Sequence, residues 1–145
     1  MGNQIWVAVL CHGNWGKELI EDIKKLFGLK NKFLVFPLLP NMSVEEYREE
    51  VEKVLKVAPQ NTILISDLYG GTTSNTAIYL GIKYNLNAIS GLSLPVILEI
   101  DKEEKVEKIL EVLFLKQNKN VICVNLIEEF KKYKIREEEK WQKLH

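Results

Sequence analysis

The run Ile5-Trp6-Val7-Ala8-Val9-Leu10-Cys11 has no polar residue in it. Such a run suits a strand buried on both faces, and strands of that kind belong to parallel sheets with helices above and below. The segment that follows is helical in period: Trp15, Leu19, Ile20, Ile23, Leu26 and Phe27 fall on one face of a helix over Trp15 to Phe27. Gly28 stops it. One buried strand feeding one amphipathic helix starts an alternation that the rest of the chain repeats.

Phe33 to Leu38 is the second strand, closed off by Pro37 and Pro40. Ser43 and Glu46 form a capping box for the second helix, with Val44, Tyr47, Val51, Val54 and Leu55 on its buried face. Pro59-Gln60-Asn61 turns the chain into a third strand, Thr62 to Ser66, ending at Asp67. Gly70-Gly71-Thr72-Thr73 reads as a small-residue loop before a third helix, Ser74 to Tyr84. Ala88 to Ser90 is a short fourth strand, and Gly91 to Pro95 breaks the chain and starts a further helix. Asp101 and Glu104 read as a second capping box, opening a helix to about Leu115. Lys119-Asn120 precedes a last apolar run, Val121 to Ile127, and the charged tail from Glu128 reads as an exposed helix. The expected fold is a doubly wound α/β domain over residues 1–127, its mainly parallel sheet covered by helices on both faces, with residues 128–145 as the tail.

Ligands of such sheets bind beyond the carboxyl ends of the strands. His12 ends the first strand, Asp67 the third, and Ser90-Gly91 the fourth. If the first and third strands are neighbours, His12 and Asp67 share one crevice. A carboxylate on one ring nitrogen fixes the tautomer and leaves the other nitrogen a nucleophilic lone pair. The same pair also reads as a hydrogen-bonded end to two strands. The glycines and threonines at 70–73 tilt the balance, because they lead backbone N–H groups into a helix N-terminus, a natural cradle for an anion. Histidine, aspartate and cradle together describe a site for a phosphoryl group carried on histidine. The only other histidine, His145, is the last residue. Trp15, beside this site, reads equally as a docking aromatic or as a staple for the first helical turn.

Composition removes several classes of function. Twenty basic and twenty acidic residues give a formal net charge of zero, which argues against wholesale electrostatic binding to nucleic acid. The apolar runs are too short to span a bilayer, and no leader-like segment opens the chain. Cys11 and Cys123 sit in apolar runs and read as core residues in a reducing cytoplasm. No further ligands stand at metal-site spacing, so neither a metal nor a cofactor is expected.

The motifs V-L-C-H-G (Val9 to Gly13), D-L-Y-G-G-T (Asp67 to Thr72) and S-G-L-S-L-P-V-I-L-E (Ser90 to Glu99) resemble the enzyme IIA component of the mannose family of the bacterial sugar phosphotransferase system. The likeness spans about Ile5 to Ile127. It implies that His12 accepts phosphate from the histidine of HPr, on Nε2, and passes it to a IIB protein or domain linked to the membrane components IIC and IID. It implies that Asp67 holds the other ring nitrogen, and that Thr72 and the backbone at Gly71 and Gly13 contact the phosphoryl oxygens. It also implies a homodimer in which the last strand, here Val121 to Leu126, crosses to the partner's sheet; an ordinary intramolecular edge strand is the alternative. Three positions depart from the pattern: Thr73 where proline is usual, Ser93 where asparagine is usual before Leu94-Pro95, and Cys11 where serine is more frequent. Related domains act as phosphodonors to dihydroxyacetone kinase. Outside the family, a receiver domain phosphorylated on Asp67 would need acidic residues beside the first strand to hold Mg²⁺, where this chain has Cys11-His12. A binding module that uses the anion cradle without covalent chemistry is a further reading.

Overall fold

The computed structural model describes residues 4–115 and 121–144. Within them the strands are β1 (Trp6–His12), β2 (Lys32–Leu38), β3 (Thr62–Ser66), β4 (Asn87–Ser90) and β5 (Val124–Asn125). They form one sheet in the order β2-β1-β3-β4-β5. The first four are parallel, and β5 runs antiparallel to β4. The helices are α1 (Trp15–Leu26), α2 (Val44–Leu55), α3 (Gly71–Tyr84), α4 (Leu94–Asp101), α5 (Val106–Leu110) and α6 (Leu126–Leu144).

The two-residue period of the strands divides the core. Val7, Val9 and Cys11 of β1 join Ile63, Ile65 and Ile89 on one face, against α1, α4 and α5. Ala8 and Leu10 join Leu64 and Ala88 on the other, against Tyr47 and Val51 of α2, Leu80 of α3 and Leu126 of α6. This is why the run from Ile5 to Cys11 has no polar position: every side chain of its centre enters one core or the other. Pro37 lies within β2, an edge strand, where a missing N–H does no harm to the ladder.

Serine caps hold at α2 and α4. Ser43 Oγ accepts from the Glu46 N–H at 3.1 Å, and Ser93 Oγ from the Val96 N–H at 3.3 Å. The α1 face is narrower than its apolar residues suggest: Ile20 and Ile23 are buried, whereas Leu26 and Phe27 are exposed.

Three expectations need correction. Asp101 does not open a helix; it is the last residue of α4, and its carboxylate accepts the backbone N–H of Lys30 at 2.9 Å and of Asn31 at 2.8 Å. The helix expected to run to Leu115 instead begins at Val106 without a side-chain cap and ends in a π-helical turn, Glu111–Leu115. The apolar run from Val121 pairs as a strand only at Val124–Asn125. It stops there because Asn125 Oδ1 caps α6, accepting the Glu128 N–H at 3.1 Å. Lys119-Asn120 and His145 lie outside the described residues.

Asp101 is buried and joins the end of α4 to the start of β2, while Asn31 in turn accepts the Ile5 N–H through Oδ1 at 3.0 Å. Removing that carboxylate strands two amides. Asp101→Ala is expected to cost roughly 2–3 kcal/mol, read as a lower urea midpoint with an unchanged m value. A midpoint equal to the wild type would show that the clamp contributes nothing net.

Candidate functional site

In the order β2-β1-β3, the chain leaves β1 in two directions, and a crevice opens where the winding reverses. His12 is the last residue of β1, and Asp67 follows directly after β3. The Asp67 N–H donates to Leu10 O at 3.0 Å, which continues the ladder one step past the Leu10–Ser66 pair and holds Asp67 beside the end of β1. Two neighbouring buried strands therefore deliver the two side chains to one point.

The contact is bidentate in character. His12 Nδ1 lies 3.0 Å from Asp67 Oδ2 and 3.1 Å from Oδ1, and the His12 backbone N–H donates to Oδ2 at 2.8 Å. The Thr73 hydroxyl donates to Oδ1 at 2.9 Å, and the Trp15 indole N–H reaches Oδ2 at 3.4 Å. The Asp67 side chain is 4% exposed and the His12 side chain 42%. The carboxylate is thus hidden and the imidazole open. Burial pushes the Asp67 carboxyl up, but the His12 amide, the His12 ring and the Thr73 hydroxyl outweigh it and hold the carboxyl below its ordinary range.

With Nδ1 donating to the carboxylate, Nε2 is the free nitrogen. A Cβ placed on Gly71 would stand 3.9 Å from it, so the glycine leaves room over the ring edge. Gly70 and Gly71 both have positive φ, at 95° and 80°, a pair that side chains would strain. This lets α3 begin at Gly71 rather than at Ser74, so Gly71-Thr72-Thr73 is the helix's first turn and not a loop. The N–H groups of a first turn have no intrahelical acceptors and carry the positive end of the helix dipole. An open groove of about 400 Å³ lies alongside, lined by His12, Gly13, Leu38, Leu39, Pro40, Met42, Val44 and Thr72.

Of the expected residues, His12, Gly13 and Thr72 line this groove, Gly71 stands beside the His12 ring, and Asp67 lies hidden behind it, bound to Nδ1. Gly13 contributes space rather than a donor, because its N–H is taken by Leu38 O at 2.8 Å. Cys11 points into the core, and burial raises its thiol above the ordinary value, which suits a packing residue and not a thiolate nucleophile. Trp15 is neither a plain staple nor detached from the dyad: it is part exposed, with its N–H toward Asp67. Sequence reasoning placed Thr73 with Thr72 among the hydroxyls of the anion cradle and missed its bond to Asp67. The available signal was a hydroxyl in the first turn of a helix, six positions after the aspartate. Among the described residues, no group of three or more His, Cys, Asp or Glu side chains is placed to hold a metal ion.

The chain matches the family model for the PTS system fructose IIA component over residues 6–113. It belongs to that family, the mannose-type IIA components of the sugar phosphotransferase system, and membership supports a phosphocarrier role there. Among solved structures it is similar to the phosphotransferase component EIIA from Streptococcus agalactiae, at 20% identity and a TM-score of 0.67, covering 74% of this chain and 88% of that one. The mannose/sorbose specific IIA subunit from Enterococcus faecalis gives 20% identity and a TM-score of 0.66, over 75% of this chain and 86% of that one. A sigma-54 interaction domain protein from Enterococcus faecalis gives 17% identity and 0.63, over 95% of this chain and 98% of that one. At these identities the likeness is one of fold. No curated protein matches the chain.

The Asp67 environment has a consequence for acid stability. Its folded-state value lies below the ordinary 3.8, so the unfolded chain binds this proton more readily. The resulting stabilisation is present above the unfolded value and is lost as pH falls through the folded one. Urea stability is expected to decline as pH drops below 3.8, and Asp67→Asn is expected to lack that component of the decline. Identical acid slopes in the two proteins would refute this account of Asp67.

Proposed function

We propose that this chain takes a phosphoryl group from phospho-HPr onto Nε2 of His12 and passes it to a IIB protein or domain, which serves sugar uptake through the membrane components IIC and IID. The observation that carries this reading is the orientation of the imidazole: Nδ1 is bound to a buried carboxylate, while Nε2 faces an open groove and the first turn of α3.

The proposed step is an in-line exchange between two histidines. The Nε2 lone pair of His12 attacks phosphorus as the donor's N–P bond breaks, and that bonding pair returns to the donor ring. The His12 ring gains positive charge, which the Asp67 carboxylate offsets through Nδ1–H while keeping its own charge. The developing charge on the phosphoryl oxygens meets the Gly71 and Thr72 amides and the Thr72 hydroxyl. Gly13 lets the group approach the ring closely. The exchange balances without a cofactor.

The apolar walls of the groove, with exposed Leu39 and Val44 and the nearby Leu68 and Tyr69, suit the docking of such partner proteins. In the chain described, β5 pairs with its own β4. The homodimer we propose would exchange that segment and form the same antiparallel ladder with a second copy. No helix among the described residues is long and apolar enough to cross a membrane. The proposed place of work is the cytoplasm. Neither a receiver nor a dihydroxyacetone kinase phosphodonor is favoured by the family match. The end of β1 also carries Cys11-His12 in place of the acidic residues a receiver needs.

Labelling with phospho-HPr tests the proposal. The wild type is expected to take up phosphate that survives alkali and is lost in acid, and His12→Ala to take up none. Asp67→Asn is expected to slow uptake by on the order of 100-fold with the fold intact. Label lost in mild base, or retained in His12→Ala, would place the phosphate on another residue.

A further inference from the structure

We infer that Thr73 is a positioning residue for phosphoryl transfer: its hydroxyl fixes the Asp67 carboxylate that holds His12. The inference rests on the phosphocarrier reading and assigns a specific task within it.

The two threonines of the first turn of α3 have different surroundings. Thr72 lines the groove, whereas Thr73 is completely buried. A buried hydroxyl needs a partner, and Thr73 donates to Asp67 Oδ1 at 2.9 Å, a charge-assisted bond to a carboxylate that is itself nearly inaccessible. The other carboxylate oxygen is held from β1 by the His12 N–H at 2.8 Å. One oxygen is thus pinned from the strand and the other from the helix. With both pinned, the carboxylate cannot turn about its Cβ–Cγ bond, and Nδ1 sits almost equally far from the two oxygens. Trp15 from α1 adds a longer contact to Oδ2, and Cys11 and Tyr47 lie within electrostatic reach of the same group.

The hydroxyl also sets how strongly Asp67 pulls on the ring. Each donor to a carboxylate spreads its charge and weakens it as an acceptor for any other, and the Thr73 bond is one of the causes that lower the Asp67 carboxyl. While Nε2 carries the phosphoryl group, the ring with Nδ1–H is cationic. On departure the N–P bond breaks, its electron pair stays on Nε2, the phosphoryl group goes to the acceptor nitrogen, and the Nδ1 proton stays on the ring. The ring ends neutral. A stronger acceptor at Nδ1 therefore stabilises the phosphorylated state more than the state after transfer. By tempering Asp67, Thr73 keeps His12 able to release the group as well as to take it.

The test compares Thr73→Val, which removes the hydroxyl, with Thr73→Ser, which keeps it. Two readouts are used: ¹³C titration of the Asp67 carboxyl in the unphosphorylated protein, and phosphoryl transfer from the phosphorylated protein back to unphosphorylated HPr. In Thr73→Val the carboxyl is expected to titrate higher. Release to HPr is expected to slow about tenfold, with KM for HPr unchanged. Thr73→Ser is expected to match the wild type in both. If Thr73→Val fails to fold by circular dichroism, Thr73→Ala removes the same hydroxyl with less bulk. A hydroxyl-free variant that titrates and transfers as the wild type does would overturn the inference alone. So would a Thr73→Ser protein as impaired as Thr73→Val, since packing would then be the cause. A wild type that takes no phosphate from phospho-HPr would overturn the phosphocarrier reading and this inference with it.

Discussion

The structure of the site depends on one buried carboxylate. Asp67 is charged and almost without access to water, a condition that is costly unless the charge is met by donors. The donors come from separate parts of the chain: the amide and ring of His12 at the end of β1, the Thr73 hydroxyl in α3, and the Trp15 indole at the start of α1. A group satisfied in this way ties three elements to the crevice and makes them depend on one another. It also decides the chemistry of the imidazole. Because Asp67 takes Nδ1, the ring has one tautomer available for attack and one nitrogen free to perform it.

Much of this was legible in the chain because burial and periodicity are local signals. Apolar runs that end at Cys11 and Ile65 mark two strands with buried centres, and His12 and Asp67, just past the ends of those runs, mark the crevice. What failed to read correctly depended on contacts between distant segments. Asp101 and Glu104 have the letters and spacing of a capping box, but Asp101 is claimed by the Lys30 and Asn31 amides, about seventy positions earlier. Asn125 and Glu128 carry a comparable local signal, and there the cap is real and cuts the last strand short. Similar local signals have opposite outcomes because tertiary partners compete for the same side chain.

The start of α3 shows how a small backbone effect changes the meaning of neighbouring residues. Read as a loop, Gly70 to Thr73 offers amides and two interchangeable hydroxyls. The positive φ values at Gly70 and Gly71 bring the helix start forward to Gly71. Successive residues of a helix lie about 100° apart around its axis. Once inside the first turn, Thr72 and Thr73 must diverge, one toward the groove and the other toward the sheet. The proline expected at position 73 from the family pattern would fit a first helical turn but would bring no hydroxyl to Asp67. Here the departure adds a contact to the dyad.

Among the described residues, two buried carboxylates accept backbone amides, and comparing them shows what makes one a site. Asp101 takes the Lys30 and Asn31 N–H groups at the foot of β2, where a loop must close, and its partners are amides that cannot titrate or move a group. Asp67 takes an amide as well, at the opposite end of the sheet, but it also holds an imidazole whose second nitrogen opens onto a groove. The hydrogen bonds are similar in length. Burial and amide capture alone therefore do not distinguish structure from function. The distinction lies in whether the partner on the far side of the carboxylate has a reactive atom exposed, and in whether backbone donors stand ready to meet what arrives there. At Asp67 both conditions hold, because the strand order brings β1 and β3 together and the glycines turn the first turn of α3 toward the same opening.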